Sequence, residues 1–205
     1  MKSKRFLCLL LVLLMVFSLT PSETRAETTV YFTAVNDQLL PDLSDETMPF
    51  WSGGRLYVPS TVITGTDLGL FYSRSRDKST AVVYRQGSAL TFNFAAGTGA
   101  DQNDRPDSGP AIVRSDVVFL PLDLLTQFFS LDYSYTRVTY GYLVRVKSDT
   151  VVLSDAKFID AAAMSMEQRY NEYMKTHSES NDSGNTPNQN TDGDRDLVCL
   201  ALRVT

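Results

Sequence analysis

The chain has 205 residues, with 19 basic and 24 acidic side chains, a single histidine and a net charge of −5. An acidic chain without basic clusters is a poor ligand for nucleic acid or an anionic lipid surface, and both partner classes are set aside. The length suits one domain of ordinary size with its own core and is too short for a large multidomain enzyme.

A secretory signal is expected over residues 1–26. Lys2, Lys4 and Arg5 precede an apolar run at 6–19, and a polar stretch then closes on Thr24-Arg25-Ala26. That run is shorter than the roughly 20 residues a bilayer-spanning helix needs, so cleavage and export are expected, with an uncleaved anchor as the alternative. Cleavage would leave 15 basic against 23 acidic residues, a net charge of −8. Cys8 would depart with the signal and Cys199 would have no intrachain partner, which fits a Gram-positive secreted protein better than a disulfide-stapled one.

The body, residues 29–147, is rich in short β-branched and aromatic runs. The stretch TVYFTAV at 29–35 alternates, Asn36-Asp37 supplies a turn, and Gln38-Leu39-Leu40 returns as the second arm of a hairpin. Residues 56–58 form a short strand entered through Ser52-Gly53-Gly54 and ended by Pro59. A second hairpin is expected from 80–84 and 89–94 around Gln86-Gly87. Residues 95–110, rich in Gly, Asp and Pro, read as an irregular loop.

Self-comparison is more informative than any single segment. GRLYVP at 54–59 matches DVVFLP at 116–121: a turn, an apolar–aromatic–apolar strand, then proline. A short helix suits 60–67 and 122–129, and further strands follow at 68–73 and 80–84 in one half, 130–134 and 142–146 in the other. The spacing is about 62 residues, slipping by one after the helix, and the order implies a duplicated β-α-β-β unit. Pro59 and Pro121 are placed where a fixed φ and a missing N–H cost least, ending a strand and opening a helix at its first position. The expected fold is therefore α+β, with small antiparallel sheets and short helices.

Residues 151–175 change character. Ser154-Asp155 is a fair N-cap, and Phe158, Ile159, Ala162, Met166, Tyr170 and Tyr173 share one side at helical spacing. An amphipathic helix packed on the preceding sheet is expected, a partner-binding helix being the alternative. The domain is thus drawn over 27–175. The polar tract 176–196 has no apolar anchor and reads as a disordered linker. Residues 197–205 resume as an apolar strand, the start of a second domain or an edge strand that folds back.

Catalytic chemistry finds few candidates. His177 is the only histidine and falls in the expected linker, so Ser-His-Asp and Cys-His systems lack a folded base. One histidine and one distant cysteine cannot build a zinc or copper site. Asp101, Asp104 and Asp107 sit in the expected loop as solvated charges. Asn188, Asn190, Asp192, Gly193, Asp194 and Asp196 imitate the front of a calcium loop, but Arg195 and Cys199 occupy positions that need an aliphatic residue and a bidentate carboxylate. Gly97-Thr98-Gly99 lacks the further glycine and lysine of a phosphate loop. No catalytic, cofactor or metal residue is assigned. The aromatics Trp51, Phe71, Tyr72, Tyr133, Tyr135, Tyr140 and Tyr142 are many for a domain this small, and they suit either core and cross-strand packing or a glycan platform.

The repeat, carried by VNDQLL at 35–40, GGRLYVP at 53–59, Leu68-Gly69 and VVFLP at 117–121, resembles the copper amine oxidase N-terminal-like (stalk-type) domain of secreted Firmicutes proteins. The likeness spans roughly residues 29–147. Departures are Ser-Thr-Val rather than a basic residue after Pro59, Leu-Asp-Leu after Pro121, and Ser130 in place of the second glycine. The oxidase's quinone tyrosine sits in an Asn-Tyr-Asp/Glu setting; here Tyr170-Asn171-Glu172-Tyr173 has another order, and its three copper histidines are missing. The resemblance implies a non-catalytic α+β module without copper or oxidase activity. It implies a secreted binding or spacer role at the cell wall, with peptidoglycan or cell-wall glycan as the expected partner. The alternative is an N-terminal accessory region of a cell-wall polysaccharide enzyme, a deacetylase or amidase.

Overall fold

The structure is a computed structural model that describes residues 29–182 apart from 42, 65, 66, 102, 104, 105 and 108. The expected signal, both cysteines, Asp104, the calcium-like run and the segment 197–205 lie outside the described residues. The fold is α+β, with three small sheets and two helices among the described residues.

Both repeats place the same elements in the same order. In the first, β3 (Phe50–Ser52) turns through Gly53 and Gly54 into β4 (Arg55–Pro59), a 3-10 turn (Ser60–Val62) follows, then β5 (Phe71–Arg74) and β6 (Thr80–Arg85). In the second, β10 (Ile112–Arg114) turns through Ser115 and Asp116 into β11 (Val117–Pro121), followed by α1 (Leu122–Phe129), β12 (Asp132–Val138) and β13 (Gly141–Lys147). The unit therefore carries one more strand at its front than sequence matching reveals. Each proline is the residue before its helical turn rather than the first within it: Pro59 and Pro121 have φ near −65° but extended ψ of 149° and 115°. Proline fixes φ alone, so it closes the strand and leaves ψ to decide where the helix opens.

The remaining strands are β1 (Tyr31–Val35), β2 (Gln38–Leu39), β7 (Ser88–Asn93), β8 (Thr98–Asp101) and β9 (Pro106–Asp107). Strand order is β12-β13-β1-β2 in the first sheet, β10-β11-β4-β3 in the second and β5-β6-β7-β8-β9 in the third. The Asn36-Asp37 and Gln86-Gly87 hairpins form as expected. The stretch 95–110 does not stay irregular. Asn93 Oδ1 accepts the Ala96 N–H at 3.0 Å and Gly97 takes φ 63°, so the chain reverses and Thr98 pairs back onto Asn93. One pairing departs from the antiparallel pattern: β1 lies parallel to β13, with Tyr31 opposite Tyr142 and Val35 opposite Val146. These strands are joined by almost the whole domain, so no tight turn imposes their direction.

All three sheets close on one core. Leu56, Val58 and Leu120 meet Leu122, Leu125 and Phe129 of α1, Val83, Leu90 and Phe92 of the third sheet, and Val144 and Val146 of the first. The long helix α2 (Asp155–Asp182) covers the other face of the first sheet, burying Phe158, Ala162, Met166 and Tyr173 against Val30, Phe32, Ala34 and Leu143. This explains why residues 32–35 and 143–146 are buried without a break: β1 and β13 have protein on both faces. The helix runs beyond Lys175, so the first residues expected in the linker, 176–182, are helical. Its end is tied down by polar contacts a composition-based reading does not register. No helix among the described residues is long and apolar enough to cross a membrane.

Candidate functional site

An aromatic cluster forms where the first two sheets meet. Opposed residues in a sheet share a face, so Tyr31 lies beside its partner Tyr142, and Tyr135 projects on that same face from β12. Tyr135 and Tyr142 stack at 4.8 Å with planes 6° apart, and Tyr31 stacks on Tyr142 at 5.7 Å. Gly141 permits this approach: its φ is 144°, and a Cβ there would lie 2.2 Å from the Val30 carbonyl oxygen, which accepts the Tyr142 N–H.

Trp51 joins from β3 of the second sheet, edge-on to Tyr135 at 5.6 Å. Burial raises the Tyr135 pKa above its ordinary value, Trp51 opposing the rise and Tyr31 adding to it. Trp51 keeps 48% of its surface exposed. A large ring held by neighbours on its edge, with much of its surface in water, is suited to contact the apolar C–H face of a ring-shaped ligand. Beside Tyr142 a cavity of about 240 Å³ opens, lined by Thr29, Arg137, Tyr140, Gly141 and Tyr170 among others.

The seven aromatics singled out by sequence thus divide. Trp51, Tyr135 and Tyr142 converge. Tyr140 stacks on Tyr170 of α2 at 5.0 Å, forming a cavity wall. Tyr133 is exposed further along β12. Tyr72 packs against the main core, while Phe71 stacks on Tyr84 in the third sheet, remote in topology from the cluster. Tyr31 was missed. The only signal for it was alternation within 29–35, which sets it opposite in facing to Phe32.

His177 lies on α2, not in a linker. Its Nε2 stands 2.9 Å from Asp45 Oδ2 and its Nδ1 2.9 Å from the Tyr173 carbonyl oxygen. Both neighbours are acceptors, so the arrangement favours a ring protonated on both nitrogens, and hydrogen bonding to Asp45 raises the His177 pKa. Such a ring is not poised as a general base. Asp45 also accepts the Tyr173 hydroxyl at 2.5 Å, the largest cause of its lowered pKa.

A second polar centre went unsuspected. Arg145 is fully buried in β13; its guanidinium donates to the Asn36 carbonyl at 2.7 Å, Asp155 at 2.7 Å, Asp37 at 2.8 Å and the Leu153 carbonyl at 2.9 Å. Its carbon lies 4.3 Å from the Phe158 ring centre. With four of its five N–H groups so engaged and the side chain fully buried, it ties the β1–β2 turn to the start of α2. Asp101 lies on β8 and Asp107 on β9. Among the described residues no three His, Cys, Asp or Glu side chains gather as a cation site.

Comparison with family models, curated proteins and solved structures finds no match to this chain.

Proposed function

We propose that this protein is a non-catalytic, secreted module of the bacterial cell envelope that holds cell-wall glycan on the Trp51 cluster, its sheet body serving as the spacer. The carrying observation is the half-exposed Trp51 ring, braced edge-on by Tyr135 at the rim of two sheets. The resemblance to stalk-type domains and the expected signal at 1–26 support the location. A buried ring stabilises the core; an exposed ring braced by an edge-on neighbour contributes little there and keeps its area for a ligand.

The test is retention of the secreted chain on purified peptidoglycan at low salt. Trp51→Ala should weaken retention while the melting temperature stays within a few degrees. Absence of retention by the unaltered chain overturns glycan binding and leaves only the spacer, and a large fall in melting temperature assigns Trp51 to the core.

A further inference from the structure

Tyr142 belongs to two features at once: it stacks within the aromatic cluster and it lines the adjoining cavity. Arg137 stands directly opposite Tyr142 in the β12–β13 register, so its side chain leaves the sheet on the same face, and it too lines the cavity. Arg137 is exposed and makes no ion pair among the described residues. Arg145, in the neighbouring strand β13, is by contrast engaged by Asp37 and Asp155.

We propose that the glycan held on the Trp51–Tyr135–Tyr142 strip bears a carboxylate, which Arg137 receives at the cavity mouth. This rests on the glycan reading above. A guanidinium presents a planar fork of donors that matches a carboxylate with two parallel hydrogen bonds. On a chain of net charge −5, an open guanidinium beside an aromatic strip is where a negative ligand gains most. The cavity holds a substituent, and the rings beyond it hold the sugar that carries the substituent.

The test titrates the secreted chain with soluble peptidoglycan strands freed of stem peptides, their sugar carboxylates either intact or amidated. The intact strand should bind about tenfold more tightly, the scale of one charge-assisted contact, and added salt should shrink that ratio. Arg137→Gln should bring the ratio to about one and Arg137→Lys should restore part of it. Equal binding of both strands, lost in Trp51→Ala, overturns the carboxylate while the glycan reading stands. Binding of neither strand overturns the glycan reading itself. A ratio that survives Arg137→Gln removes Arg137 from the site, and preferential binding of a phosphate-bearing polymer overturns the choice of carboxylate. The amidation arm needs no substitution, so it decides the matter even if a variant folds poorly.

Discussion

Val58 and Leu120, which occupy equivalent positions in the two repeats, pair with each other at the centre of the second sheet. The flanking pairs exchange equivalents: Pro59 faces Phe119, and Pro121 faces Tyr57. An approximate two-fold axis therefore passes between β4 and β11. The turns entering these strands agree, with positive φ at Gly53 and Gly54 in one and at Ser115 and Asp116 in the other. Duplication supplied two copies of a strand that is apolar on its core side, and an antiparallel pairing of the copies buries both.

Leu120→Ala is expected to cost about 3 kcal/mol, since both residues of the pair are fully buried. Val58→Ala should cost less, and the double variant should fall short of the sum because both deletions open the same space. Urea denaturation checks this; strict additivity means that the two side chains do not share a cavity.

Gly69 and Ser130 occupy the left-handed position that follows the helical segment of each repeat, at φ 66° and 53°. A left-handed L-residue costs about 1 kcal/mol, so Gly69→Ala should destabilise by that amount although nothing lies within 4 Å of the added carbon. Ser130→Gly should stabilise by up to about 1 kcal/mol, less the added freedom of the unfolded chain. Thermal melts of the two variants moving in the same direction argue against this assignment.

Arg145→Ala should cost about 3 kcal/mol or more, because it strands the partners of a buried cation. Asp37 is held below the ordinary carboxylate pKa first by the backbone N–H groups of Val152 and Leu153, then by Arg145. For Asp155, burial pulls upward, but hydrogen bonds from Arg145, Lys147 and Ser134 outweigh it. Both carboxylates thus contribute stability above their ordinary pKa of 3.8 that disappears as pH falls through their lowered values. Acid unfolding monitored at several pH values should show a shallower acid limb in Arg145→Ala.

The His177–Asp45 contact should hold the end of α2 within a defined pH window. His177 has a raised pKa, so its contribution is complete below 6.5 and is lost as pH rises through the folded value. Asp45 has a lowered pKa, so its contribution is present above 3.8 and lost as pH falls through the folded value. Hydrogen exchange of amides 173–178 should therefore be slowest between about 4 and 6.5 relative to His177→Gln. A difference between the two proteins that persists unchanged at pH 9 rules out the ionic part of the contact.

Much of this architecture is written in local pattern. The repeated apolar–aromatic–apolar strand with its proline, the Asn36-Asp37 and Gln86-Gly87 turns and the face of α2 that buries Phe158, Ala162, Met166 and Tyr173 all follow from short-range chemistry. Spacing, turn residues and helical period act over a few residues, and the chain displays them directly. What tertiary structure alone decided is where distant segments meet. The parallel β1–β13 pairing, the burial of Arg145 between Asp37 and Asp155 and the convergence of Trp51 with Tyr31, Tyr135 and Tyr142 each join residues with no local rule between them. Their positions are selected by which sheet faces can bury apolar area together, a property of the assembled core that no single segment carries.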